Sequence, residues 1–166
     1  MLFRSVHFLW FYQLQALVAG VFAAPFLLLA QNPSPTLQMV QVLGLALLVA
    51  GFGIEATADA QLARHRQDPS QKGKTCRSGL WRVSRHPNYF GEWLLWCGIA
   101  VIAAPAPHGL YALAAPALMY VLIRYVSGVP FVEKQALRSR GEDYRRYMAT
   151  TNTFFPGPTR LESDAR

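Results

Sequence analysis

The sequence predicts an all-α polytopic membrane helix bundle of about four transmembrane helices, with short helices at one membrane surface. Three observations carry that prediction. Hydrophobic residues make up 52% of the 166-residue chain and charged residues only 15%, well below the quarter usual for soluble globular domains. Long uncharged stretches alternate with basic blocks instead of mixing with them. Apart from Arg4, every Lys and Arg lies in 64–85 or at position 124 and beyond.

The first expected span is 8–30, FLWFYQLQALVAGVFAAPFLLLA, with no charge over 23 positions. As a helix it covers roughly 34 Å, enough for a hydrocarbon core. Pro25 is expected to kink it, and its length argues against a cleaved signal peptide. The turn-rich QNPSPT at 31–36 leads into the second span, 37–54. Past its end, Glu55, Asp59, Leu62 and Arg66 fall at i, i+4, i+7 and i+11, one helical face, so the helix is expected to continue beyond the apolar run. A solvated helix end carries the same pattern. The third span is 89–104, containing Glu92, and the fourth is about 109–126, with Arg124 near its end.

Over 131–150, Glu133, Arg138, Glu142 and Arg146 alternate in sign at near-helical spacing, while Val132, Ala136, Leu137 and Tyr144 offer apolar contact. One or two short surface helices are expected there, with Tyr147, Phe154 and Phe155 anchoring their end at the membrane interface. Residues 1–156 form a single membrane domain in this reading, and 157–166 a polar tail.

The charge pattern predicts orientation. The connections at 31–36 and 105–108 carry no Lys or Arg. With four spans, the basic middle loop and both termini share one side, which the positive-inside bias makes cytoplasmic. A net charge of +7 raises nucleic acid as a partner, but basic residues in blocks between apolar spans are a membrane pattern, so nucleic acid is not expected. Cys76 and Cys97 lack CxxC or zinc-ligand spacing, and neither a metal site nor a structural disulfide is expected.

The stretch SRHPNYFGEW, residues 84–93, carries the chemistry. Pro87 suits the first turn of a helix, with His86 near its N-cap and the N–H groups of 88–90 free. Those N–H groups, with Arg82 and Arg85 close by, form a ready anion site. Asn88 and Glu92 stand at i and i+4, able to address one ligand together. Interfacial anchoring accounts for Arg85, Tyr89 and Trp93. It does not account for Glu92, because a carboxylate near hydrocarbon costs several kcal/mol unless it faces a polar partner.

These residues bring a family into view. GLWRVSRHPNYFGEWLLWCG, preceded by the Glu55, Asp59, Leu62, Arg66 stripe, resembles the carboxy-terminal domain of steroid 5-alpha-reductase-like membrane proteins, most of all a bacterial branch of them. Residues 127–156 also resemble that branch, and the first two spans do so more loosely. The resemblance implies a helical membrane bundle, in the inner membrane of a bacterium, that holds NADPH from the cytoplasmic side. It implies that Asp59 and Arg66 are the acid and base lining the cofactor, that Asn88 and Glu92 contact it, and that Tyr89 lies between them. Arg85 and His86 fall where the motif varies between branches. The implied reaction is hydride transfer to an electron-poor alkene in a lipophilic substrate, with membrane lipid as the surroundings.

Relatives that reduce steroids carry further upstream spans, which supply a glutamate and a tyrosine to polarise the substrate. This chain has 58 residues before Asp59, and within its first span only Tyr12, Gln13 and Gln15 are polar. The resemblance therefore leaves the catalytic residues unassigned. It implies a catalytically incomplete relative, or one completed by a partner chain. Two alternatives stay open. An S-adenosylmethionine-dependent methyltransferase of the isoprenylcysteine or phospholipid type shares RHPxYxG, although the Arg-x3-Glu-Glu expected after its last span is missing here. A non-enzymatic basic membrane protein that binds anionic lipid or a partner needs only the basic tail.

Overall fold

The computed structural model describes residues 2–33 and 36–160, with side chains from Phe8 onward. Ser34 and Pro35 of the expected turn, and 161–166 of the expected polar tail, lie outside the described residues. The described chain is helical throughout, without a strand: α1 (Leu2–Ala30), α2 (Met39–Gln67), α3 (Pro87–Ala103), α4 (Ala114–Val121), α5 (Val129–Arg140) and α6 (Glu142–Thr150). Short 3-10 turns at Pro69–Gln71, Gly79–Arg82 and Gly109–Leu113 link them, and α4 runs on as a π-helical turn over Leu122–Val126.

Three helical stretches are long and apolar enough to cross a membrane: Phe8–Ala30, Met39–Gln67 and Gly109–Arg140. The third expected span, 89–104, is α3, which at 17 residues is the shortest of the long helices. As a helix it covers about 25 Å, somewhat less than a hydrocarbon core. α3 is the centre of the bundle. No residue of it is exposed, whereas most of α1 and α2 is exposed. α2 packs along one side of α3, and α1 and α4 pack on others. The polar residues that looked out of place beside lipid therefore sit on the helix that meets lipid least. α2 continues unbroken to Gln67, as the stripe from Glu55 to Arg66 predicts.

The α2–α3 seam is built on glycine. Gly44 and Gly51 on α2 meet Gly98 and Gly91 on α3 in antiparallel order, each pair of glycines seven residues apart in sequence. A Cβ on Gly51 would stand 2.5 Å from the Leu95 amide nitrogen, and one on Gly91 2.6 Å from that of Glu55. Backbone thus lies on backbone, the close approach that small residues give helices in membranes. Aromatic packing fixes the other flank, where Phe22 and Phe26 of α1 stand 4.6 and 6.3 Å from Trp96 of α3.

The expected surface helices over 131–150 are α5 and α6. The chain beyond them is tied down. Arg85 N donates to Asn152 O at 2.8 Å, Ser84 Oγ to Phe154 O at 2.8 Å, and Gly157 N to Val83 O at 3.1 Å. Two expected interfacial anchors are core residues instead. Tyr147 and Phe154 are only 2% and 3% exposed, and Phe155 alone is half exposed. The reason is the fold-back of the tail, which lays Phe154 on Phe90, Trp93 and Tyr120 and brings the Tyr147 hydroxyl to the Trp81 carbonyl oxygen, which accepts its proton.

Candidate functional site

Pro87 sets the start of α3, and the sharp entry through Ser84, Arg85 and His86 is wholly buried. From this start the predicted residues separate into two neighbouring groups. Asp59, Asn88, Tyr89 and Glu92 lie along the α2–α3 seam. Arg66, Arg85 and His86 line a cavity at its foot.

In the seam, Asn88 Nδ2 donates to Asp59 Oδ1 at 3.0 Å. The helical spacing on α3 brings Glu92 one turn further along the same face. The charge facing Glu92 there is the Glu55 carboxylate, held close because Gly91 lets the backbone of Glu55 come into contact. Glu55 was legible as part of the stripe, but its meeting with Glu92 depends on how α3 is rotated. Neither carboxylate has a cation across from it among the described residues. Two like charges in a low-dielectric seam repel strongly unless a donor or a proton intervenes. Asn88 Oδ1 is buried and accepts no hydrogen bond, which leaves one acceptor open at the head of this row. An orphaned buried acceptor costs about 1–3 kcal/mol, so the seam favours a ligand that donates there.

The cavity below has a volume of about 160 Å³. Arg66 and Arg140 reach it from α2 and α5, and Tyr144 from α6. Arg66 forms no ion pair among the described residues, and Arg140 lies over the Tyr144 ring, 5.9 Å from its centroid. Burial, then the nearby Glu133 charge, push the Tyr144 hydroxyl up to about 12, so it stays a neutral donor. Thr75 also lines the space, 7% exposed, and its hydroxyl has no partner. The wall is cationic and rich in donors, a chemistry that suits a phosphate.

Arg85 and His86 occupy the same wall, but their polar atoms are engaged by the protein. Arg85 Nη1 donates to Met148 O at 2.8 Å and Nη2 to Thr153 Oγ1 at 2.7 Å, while Nε stands 2.8 Å from Glu133 Oε1. That last contact is an ion pair without aligned hydrogen-bond geometry. His86 Nε2 lies 3.2 Å from the same Glu133 oxygen, and its ring stacks on Tyr89 with centroids 5.5 Å apart. The two residues therefore join the seam to the tail. Arg82, expected near the anion site, is exposed and does not line the cavity. A larger open hollow of about 720 Å³ lies behind it, where Asp143 accepts from Thr75 N at 2.7 Å and pairs with Arg77 at 2.8 Å. Thr75 lines both spaces.

Residues 2–151 match a family described as "Protein of unknown function (DUF1295)". Among curated proteins, the Delta(14)-sterol reductase of Methylotuvimicrobium alcaliphilum is 28% identical over 119 residues, which covers 61% of this chain and 26% of that protein. The chain thus spans about a quarter of the length of that relative. No solved structure matches.

Proposed function

This chain belongs to the DUF1295 family, a steroid-reductase-like group of membrane proteins, and from that membership we propose that it is an integral membrane oxidoreductase. In this reading it binds NADPH from the cytoplasmic side and reduces an electron-poor alkene in a lipophilic substrate. The observation that carries the reading is a cation-lined cavity at the foot of a seam whose buried amide oxygen, Asn88 Oδ1, lacks a donor.

The residues fit the chemistry of such a cofactor. Its phosphates call for Arg66, Arg140 and the Thr75 hydroxyl, and its carboxamide calls for an acceptor such as Asn88 Oδ1. Asp59, on the exposed edge of the seam, suits ribose hydroxyls. When bound, the dinucleotide supplies a hydride. The chain's share is to orient it, to exclude water with the apolar flanks of α3, and to present Glu92 as a polar partner one turn along from Asn88. Tyr89, packed against His86, closes the seam from the side. A donor that stabilises a developing enolate would stand beside the exposed face of α1, residues 8–17.

Melting of the purified protein in detergent with NADPH, with S-adenosylmethionine and with neither tests the proposal. A rise in Tm that saturates with NADPH alone is expected, since a ligand of the native state stabilises it by mass action. A rise with S-adenosylmethionine and none with NADPH would replace the reductase reading by the methyltransferase one.

A further inference from the structure

A second cleft, which shares no lining residue with the cavity of Arg66 and Arg140, opens where the π-helical turn after α4 meets the folded-back tail. It has a volume of about 420 Å³ and lies between Tyr120 and Arg124 on one side and Asn152, Thr153 and Phe155 on the other. Two properties set it apart. Its floor is aromatic, with Tyr120 5.3 Å from Phe154 and 6.0 Å from Phe155 between ring centroids. Its rim carries a cation, because Arg124 lies one helical turn from Tyr120 and forms no ion pair among the described residues. Its guanidinium stands 5.2 Å from the Tyr125 ring centroid, which orients the plane and leaves its donors free for an anion.

The polar wall adds a donor. Thr153 Oγ1 accepts from Arg85 Nη2 at 2.7 Å, so the proton of the Thr153 hydroxyl is available to another acceptor. The apolar side of the cleft is uncovered, as Phe155 and the adjoining Tyr125 and Val126 are each at least half exposed. An occupant that uses both features is anionic at one end and apolar at the other. Bulk anions match the rim but gain nothing from the aromatic floor.

We infer that this cleft seats an anionic phospholipid, with its phosphate on Arg124 and Thr153 and its glycerol and first acyl carbons on Tyr120 and Phe155. The lipid then bridges the last membrane helix and the tail, outside the cavity that Arg66 and Arg140 line.

Native mass spectrometry of the full chain in detergent tests this, with phosphatidylglycerol and phosphatidylcholine offered at equal concentration. Wild type should retain phosphatidylglycerol about fivefold better, the effect of one basic contact near a charged headgroup. Arg124→Gln should abolish the preference, and Arg138→Gln, which removes the same charge from an exposed site on α5, should keep it. A preference that survives Arg124→Gln, or that falls equally in Arg138→Gln, overturns the site and leaves a diffuse basic surface. Displacement of the lipid by millimolar inorganic phosphate would likewise overturn the lipid as the occupant. The wild-type protein gives an independent readout that needs no variant. A phosphatidylglycerol with a photoreactive group near its glycerol should label the peptide 151–157, and labelling that spares this peptide contradicts the inference.

Discussion

Replacing Arg85 by Met tests how the entry to α3 holds the tail. Arg85 is 8% exposed, and its guanidinium meets Met148 O, Thr153 Oγ1 and Glu133 Oε1 within 2.8 Å. Methionine fills similar space but leaves the Met148 carbonyl and the Glu133 carboxylate without their cation. Breaking a buried pair by removing one partner costs about 3–5 kcal/mol, most of it the penalty of the charge left behind. For a chain of this size, each kcal/mol lowers Tm by about 2–4 °C, so Arg85→Met should melt roughly 6–20 °C below wild type. The loss should be local in its first effect. Residues 151–157, which hydrogen-bond to 83–85, should become open to protease before the α2–α3 seam does. Adding Glu133→Leu should return part of the loss, because the stranded carboxylate is then gone. If Arg85→Met melts within about 2 °C of wild type and its tail stays protected, the clamp contributes nothing and the reasoning fails.

Three further outcomes follow from the same contacts. Gly91→Ala should destabilise by about 1–3 kcal/mol, since its Cβ meets the Glu55 backbone at 2.6 Å, whereas Gly20→Ala, with nothing within 4 Å, should be neutral or slightly stabilising; equal melting of the two variants refutes the seam. Burial opposes ionisation of Asp143, but the bond from Thr75 N and the charge of Arg77 outweigh it and hold the carboxyl below its usual range. A group with a depressed folded pKa stabilises above its unfolded value, near 3.9, and loses that stabilisation as pH falls through the folded value. The Tm advantage of wild type over Asp143→Asn should therefore be full at pH 6 and shrink below about pH 4, and a pH-independent difference would contradict the pairing. In intact cells, single cysteines at 70 and 107 should react with impermeant maleimide only at 107 if the basic end is cytoplasmic, and reaction at 70 reverses the topology.

The bundle was legible in the apolar runs, and the continuation of α2 in the one-face spacing of Glu55, Asp59 and Arg66. Asn88 and Glu92 stood out because polar groups in an apolar run need a reason. The central position of α3 was not legible. Gly44, Gly51, Gly91 and Gly98 have regular spacing, but spacing does not reveal which glycine faces which. The grip of Arg85 on the tail was hidden for another reason. It acts on backbone carbonyls more than 60 residues away, and any side chain could precede those carbonyls. Tyr147 and Phe154 looked like interface anchors because an aromatic residue has the same sequence signature at a membrane surface and beneath a folded-back segment.

The NADPH dissociation constant of Glu92→Gln, read beside its Tm, decides whether the α2–α3 seam is a cofactor site. Glutamine keeps the shape of Glu92 and removes its charge, and with it the repulsion from Glu55. The unliganded variant should melt at or above the wild-type temperature. Its affinity for NADPH should fall by about 1–3 kcal/mol, roughly 5- to 150-fold, the usual cost of losing one buried polar partner. Unchanged affinity together with a lowered Tm would contradict the account and make Glu92 a structural residue of the seam.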